Sequence, residues 1–251
     1  MNTPRRITLH SQVRSDTSRS LALLVALLGA VILPALSAAP PAPMNPAQTT
    51  PAPAKPTAKP DMSKAEALIA PAKDGLPIHF VYWGSEDGQE SPVLLYLHGK
   101  GGSFRDWSVP FLDQMHRAGY AQILVDLRGH GQTKGSDLTP EQQKDPVIQR
   151  LQSGKLRPSD YEDMVNLDLE VIKLFIFDEH QRRNLNMNKL GVIASDESAP
   201  LAAAFTLVDW QKPPYEDSPD PQFQTPRGQD VRALVLLSPT LHTGNISTGN
   251  L

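Results

Sequence analysis

The 251-residue chain has no cysteine, which excludes disulfides, thiol nucleophiles and cysteine-ligated metal. Its stability must come from an ordinary apolar core, which a globule beginning near residue 61 is large enough to form. Strong charge of one sign is also missing. Net charge is −3, and without residues 1–37, which hold four Arg and one Asp, it moves to −6. A mildly acidic surface offers nothing to nucleic acid, and no nucleic-acid partner is expected. The longest apolar run, residues 21–33, falls short of the ~20 residues that a bilayer asks for. Late in the chain two further groups are scarce: no Asp or Glu follows Asp230, and His242 is the only histidine after His180.

The apolar run follows Arg5, Arg6, Arg14 and Arg19 and precedes the small residues of "PALSAAP". That is the order of basic region, apolar core and processing site in a secretory signal. A cut after Ser37 would leave Ala35 and Ser37 in the small-residue positions. The expectation is export to the periplasm, cell envelope or medium. An uncleaved amino-terminal anchor is the alternative and the one route to a membrane. Pro34–Pro60 holds nine prolines among 27 residues, a composition that forms an extended, semi-rigid spacer and no core. The chain therefore divides into a signal or anchor at 1–37, a Pro/Ala-rich linker at 38–60 and a domain at 61–251.

Within the domain, "DGLPIHFVYWG" alternates and predicts an edge strand at 76–83. Short continuous apolar runs at 92–97, 121–127, 190–194 and 231–237 predict buried strands. Strands without a solvent face belong in parallel sheets covered by helices. The helical segments lie between them. Ser103 is a candidate cap for a helix whose early part Pro110 makes irregular. Ser159 and Glu162 have capping-box spacing ahead of a stripe of Tyr161, Val165, Leu169, Ile172 and Ile176. A last helix runs through "ESAPLAAAFTLVDW", where Pro200 falls in the first turn. Alternating strands and helices predict an α/β three-layer sandwich with a mostly parallel sheet. Trp107 and Trp210 are expected to pack or to line a groove. The acids Asp160, Glu162, Asp163, Asp168 and Glu170 are read as a solvated helix face, because no spaced histidines complete a metal site. No metal or cofactor is expected.

Glycines at 99, 101 and 102 after a buried strand let backbone amides face a cleft, where they can stabilise an oxyanion. Three motifs, "LYLHGKGGSFRDW", "DLRGHGQT" and "LGVIASDESAPLAAAF", stand in register with the predicted strands. Together they resemble the α/β-hydrolase family over roughly residues 75–240. The resemblance implies that the amides of Lys100 and Glu197 form the oxyanion site. It also implies that His98 packs beneath the loop, and that Arg128, Gly129, His130 and Gly131 hold a turn. The cleft would be lined by His98, Gly99, Gly101, Gly102, Ser195 and His242.

The family's nucleophile elbow demands small residues two positions either side of the nucleophile, because the turn is strained and crowded. Only Ala194-Ser195-Asp196-Glu197-Ser198 fits, which places Asp196 at the apex. Haloalkane dehalogenases and epoxide hydrolases of this family attack carbon with aspartate, and then need a histidine to activate water. The family's histidine follows two further strands, whereas this sequence stops 14 residues after the strand at 231–237. His242 comes too soon and has no later acid to orient it.

The last apolar strand is therefore expected to be an open sheet edge. The sequence is read as part of a longer gene product, as a chain that pairs this edge with a partner or a second copy, or as a degenerate copy. The leading expectation is an exported, catalytically incomplete hydrolase-like protein that keeps a small-molecule cleft. The alternatives are an active hydrolase of ester, epoxide or carbon–halogen bonds, and an interaction module or homo-oligomer using the open edge.

Overall fold

The computed structural model describes residues 4–9, 63–212 and 228–250. The expected apolar leader, the proline-rich linker and most of the 211–230 loop lie outside the described residues. Seven strands form one sheet: β1 Arg5–Arg6, β2 Glu66–Pro71, β3 Pro77–Trp83, β4 Pro92–Leu97, β5 Ala121–Val125, β6 Asn186–Ser195 and β7 Val231–Leu237. Their order is β1-β2-β3-β5-β4-β6-β7, with β5, β4, β6 and β7 mutually parallel and β3 antiparallel to both neighbours. A short hairpin, β8 His242–Thr243 with β9 Ile246–Ser247, follows.

The apolar runs at 92–97, 121–125 and 190–194 are buried strands, as fully enclosed parallel strands must be. The strand at 77–83 corrects the expectation of an edge. It lies between β2 and β5 and is buried along nearly its whole length. Its apparent alternation came from His79, whose ring is buried against Asp137 (2.9 Å) instead of facing water. The edge is instead β2, joined by β1, so residues 5–6 belong to the sheet.

On one face, α4 (Leu169–Gln181) and α5 (Ser198–Gln211) cover the sheet with Ile172, Phe175, Ile176, Leu201 and Phe205. The other face is covered by α1 (Val109–Arg117), whose Leu112 meets Trp83, Tyr96, Leu124 and Ile193. Ser103 caps a 3₁₀ turn at Phe104–Asp106, and α1 begins only after it, with Pro110 in its first turn. The long loop after β5 carries α2 (Pro146–Gln152) and leads into α3 (Pro158–Asp163).

A π-turn, Met164–Asp168, then joins α3 to α4. The cap of α3 is not Ser159. Pro158 opens the helix, and the Asp160 carboxylate accepts the Arg157 N–H at 2.6 Å while pairing with Arg150. Asp160 and Asp168 also correct the solvated-face reading, because both are buried. The Arg128 guanidinium, itself buried, donates to both Asp168 oxygens (2.7 and 3.2 Å) and to Asp74 (2.6 Å). A helical stripe does not reveal that the partner of Asp168 arrives from a turn 40 residues earlier. The π-turn shifts Asp168 off the outer face and toward that guanidinium.

A second buried cluster ties α4, α5 and β7 together. Lys173 pairs with Asp209 and with Asp230 (2.7 Å), all three fully enclosed. Asp209 also accepts the amides of Asp230 (2.6 Å) and Val231 (3.1 Å), and Trp210 donates to the Val231 carbonyl at 2.9 Å. Burial pushes the Asp230 carboxyl up to about 6, against Lys173 and with the like charge of Asp209.

Lys173→Met is expected to cost about 3–5 kcal/mol in urea unfolding, because two buried carboxylates lose their counter-charge. A folded-state value above the unfolded one means that Asp230 stabilises most when protonated. Its contribution is whole below about pH 4 and is lost as pH rises through about 6. Wild-type stability minus that of Asp230→Asn should fall across this window, and a flat difference would sink the assignment.

Candidate active site

The site is built at the carboxyl ends of β4, β5 and β6. After β4, His98 is buried with both ring nitrogens engaged. Nε2 accepts the Leu127 N–H (3.1 Å), so Nδ1 carries the proton and donates to the Gly99 carbonyl (2.8 Å). Burial lowers its pKa, and the neutral ring bridges two loops, which is the structural role expected of it. The glycines are needed for space as well as for freedom. Gly101 has φ +63°, and a Cβ on Gly102 would stand 2.3 Å from an Asp106 carboxylate oxygen. That carboxylate accepts the Ser103 N–H at 2.8 Å.

After β5, the Asp126 carboxylate accepts from the Phe104 amide (2.7 Å) and the Gln132 amide (2.7 Å). It clamps the glycine loop to the turn at 128–133. His130 lies in that turn, with Nδ1 2.9 Å from the Arg128 carbonyl and its ring 5.1 Å from that of His98. Burial and the neighbouring His98 lower its pKa.

After β6 the chain turns sharply, and Asp196 sits at the apex with φ +54°. Its amide donates to Leu237 (2.9 Å), and its carbonyl accepts from Ala199 (3.1 Å) to start α5. The two serines are not at the apex. Ser198 is buried, its hydroxyl accepting the Ser195 amide (3.1 Å) within reach of the Leu97 and Ser195 carbonyls. Ser195 is half-buried beside Gly99. A Cβ on Gly99 would approach Asp196 Cβ to 3.3 Å, so the glycine lets the two loops come together.

Close approach brings the Lys100 amide onto the Asp196 carboxylate: N–H to Oδ2 is 3.2 Å. Glu197 enters through its side chain, which pairs with Lys100 Nζ at 2.7 Å. Its amide takes no hydrogen bond among the described residues. His242 is exposed in the β8–β9 hairpin and makes no ion pair with an acid among the described residues. It is not brought to Asp196 by any hydrogen bond or ion pair among the described residues.

The sequence marks Tyr161 only as part of an apolar helical stripe and does not single out Thr243. Thr243 Oγ1 donates to the Glu197 carbonyl at 2.6 Å, and a Cβ on Gly244 would stand 2.4 Å from the Tyr161 ring. The hairpin thus packs over the elbow. Its one local signal in the sequence is the Gly244-Asn245 pair between two short strands. The recess that remains, between His98, Lys100, His130, Tyr161, Glu197 and Thr243, has a volume of about 10 Å³. That is room for roughly one water. No group of three or more acid or histidine side chains among the described residues is placed to hold a metal ion.

Asp196→Gly and Asp196→Ala both remove the carboxylate, but only glycine adopts φ +54° freely. The glycine variant is expected to be more stable than the alanine variant by about 1 kcal/mol, measured by chemical unfolding. Equal stabilities would mean that the apex is not left-handed in solution.

No family model matches the chain. Over 59 residues it is 42% identical to protein phosphatase methylesterase 1 of Bos taurus and equally to that of Mus musculus, a stretch that is 22% of this chain. It covers 16% and 15% of those proteins, about a sixth of their length. Among solved structures it is similar to an esterase of Pyrobaculum calidifontis, at 19% identity and TM-score 0.43, covering 70% of this chain and 45% of that one. It is similar to an esterase from Rhizomucor miehei at 17% identity and TM-score 0.44, covering 70% and 44%. EstE1, a thermostable carboxylesterase cloned from a metagenomic library, gives 16% identity and TM-score 0.44 over 73% and 49%. The chain spans less than half the length of each of these structures. Its sheet order, the glycine loop after β4 and the left-handed turn between β6 and α5 give this chain an α/β-hydrolase fold.

Proposed function

We propose that this chain is a catalytically incomplete α/β-hydrolase-like protein, in which the elbow serves as a small-ligand recess and not as a nucleophile. The observation that carries this reading is the Lys100 amide donating to Asp196 Oδ2. The donor that the fold would turn toward a substrate oxyanion is taken by the protein's own carboxylate. A small anionic ligand reaching that amide has to displace the carboxylate and part the Lys100–Glu197 ion pair.

A second reading is favoured by the place of Asp196 at the apex before α5. Here one Asp196 oxygen attacks an electrophilic carbon: a haloalkane loses halide and an epoxide ring opens to leave an alkyl ester on the enzyme, whereas a carboxyl ester attacked at its acyl carbon loses its alcohol or phenol and leaves a mixed anhydride on Asp196. Hydrolysis of either intermediate needs an imidazole to take a proton from water. His98 has both nitrogens committed, which leaves His130 as the histidine lining the recess with Glu197. The identity to methylesterases over 59 residues makes carboxyl esters the first substrates to try.

The full chain should be assayed with p-nitrophenyl acetate and butyrate, styrene oxide and a bromoalkane, beside Asp196→Ala and His130→Ala. All three proteins are expected to stay within about twofold of the uncatalysed background. Turnover that falls about 100-fold or more in Asp196→Ala would reject the incomplete-enzyme reading and install the second.

A further inference from the structure

We propose that residues Arg5–Leu9 are the resident partner of the β2 edge. The folded domain would then retain its first residues and hold them on the same side of any membrane as its body. An edge strand such as β2 offers a row of unpaired amides and carbonyls, and an extended segment can satisfy them by adding a strand. Arg5 and Arg6 pair in parallel with Leu68 and Ile69, and the Ile7 amide continues the ladder to the Ile69 carbonyl at 2.9 Å.

Two further kinds of contact fix the segment. Arg6 Nη2 donates to the Asp137 carbonyl at 2.9 Å, and the carboxylate of the same Asp137 meets the buried His79 on β3 at 2.9 Å. Ile7 and Leu9 pack, partly buried, against the main core. Arg5 lies 3.4 Å from Glu66, an exposed pair that adds little. The order of "RRITL", basic then aliphatic, therefore matches what the edge offers: a backbone row, a carbonyl for a guanidinium and an apolar shelf.

The consequence is topological. A leader or anchor that threads residues 21–33 across a bilayer puts residues 5–9 on one side and β2 on the other. A hydrogen bond of 2.9 Å between Ile7 and Ile69 requires both on one side. A cut after Ser37 would also strip this strand from the sheet. Strand pairing and leader removal are therefore alternatives, and the contacts favour retention.

Hydrogen exchange on the folded full chain tests the pairing. Peptides covering 5–9 and 66–71 are expected to be protected together, and Ile7→Asp to release both and lower the melting midpoint by about 4 °C or more. Ile7→Ala, a milder change, should raise exchange in both peptides in the same sense if Ile7→Asp does not fold. Exchange of residues 5–9 at the rate of an unstructured peptide in the folded wild type would overturn the proposal. Unchanged exchange at 66–71 in either variant would do the same. The intact mass of the protein from the cells that make it is the second arm: residues 4–9 present support the proposal, and a mature start near residue 38 overturns it.

Discussion

Carboxylates accepting backbone N–H groups hold the loops at the carboxyl ends of the parallel strands, and the geometry of the elbow depends on them. Asp126 takes the amides of Phe104 and Gln132, and Asp106 takes that of Ser103. Hydrogen bonds to a charged acceptor contribute about 1.5–3 kcal/mol each, roughly twice a neutral one. The neighbouring glycines follow from this, since a Cβ on Gly131 would stand 2.1 Å from an Asp126 oxygen. Asp196 is a third member of the set. Its contact with Lys100 has the same chemistry as that of Asp126 with Phe104: a loop amide satisfied by a strand-end carboxylate. Under the function proposed above, this local satisfaction accounts for the charge at the apex.

Deeper in the molecule, charge is used differently. Arg128 with Asp168 and Asp74, and Lys173 with Asp209 and Asp230, are buried clusters joining elements far apart in sequence. Such clusters add little net stability over apolar packing, yet breaking one is costly, so they favour one arrangement over its neighbours. Arg128 fixes the turn after β5 against the π-turn before α4, and that turn carries His130 into the recess. Lys173 sets where β7 begins, through its pairing with Asp230. In a chain without cysteine, these two clusters are long-range ties of the kind that a disulfide would otherwise supply.

Continuous apolar runs were legible as the buried strands β4, β5 and β6 and as the strand β7, which is nevertheless buried only at Val231, and the size rule placed Asp196 at the apex. What stayed hidden depends on partners distant in the chain. Asp160 and Asp168 lie among acids at helical spacing, and nothing local says that Arg150 and Arg128 turn inward to meet them. His79 interrupts an apolar strand and mimics alternation, because its partner Asp137 lies 58 residues on. The Lys100–Asp196 hydrogen bond was out of reach as well. Both residues were marked as site residues, but their contact rests on how closely Gly99 lets two loops approach.

The two edges of the sheet show what that packing leaves unfinished. At β2, Arg5–Arg6 supply a strand that the Ile7 amide extends by one hydrogen bond, and the row of backbone groups is partly paired. At β7, pairing among the described residues is with β6 alone, and α1 does not reach far enough to cover it. By register, Val235 lies beside Ile193 and Leu237 beside Ser195, on the face that α1 covers elsewhere. Val235 is 44% and Leu237 42% exposed, and Leu241 beyond them reaches 74%. Leu234 and Leu236, on the opposite face, pack under α5 into the core. One strand thus has a finished face and a bare one. Interior parallel strands are apolar on both faces because both are covered. The composition of β7 is that of an interior strand, whereas among the described residues it pairs on one side only and keeps one face exposed.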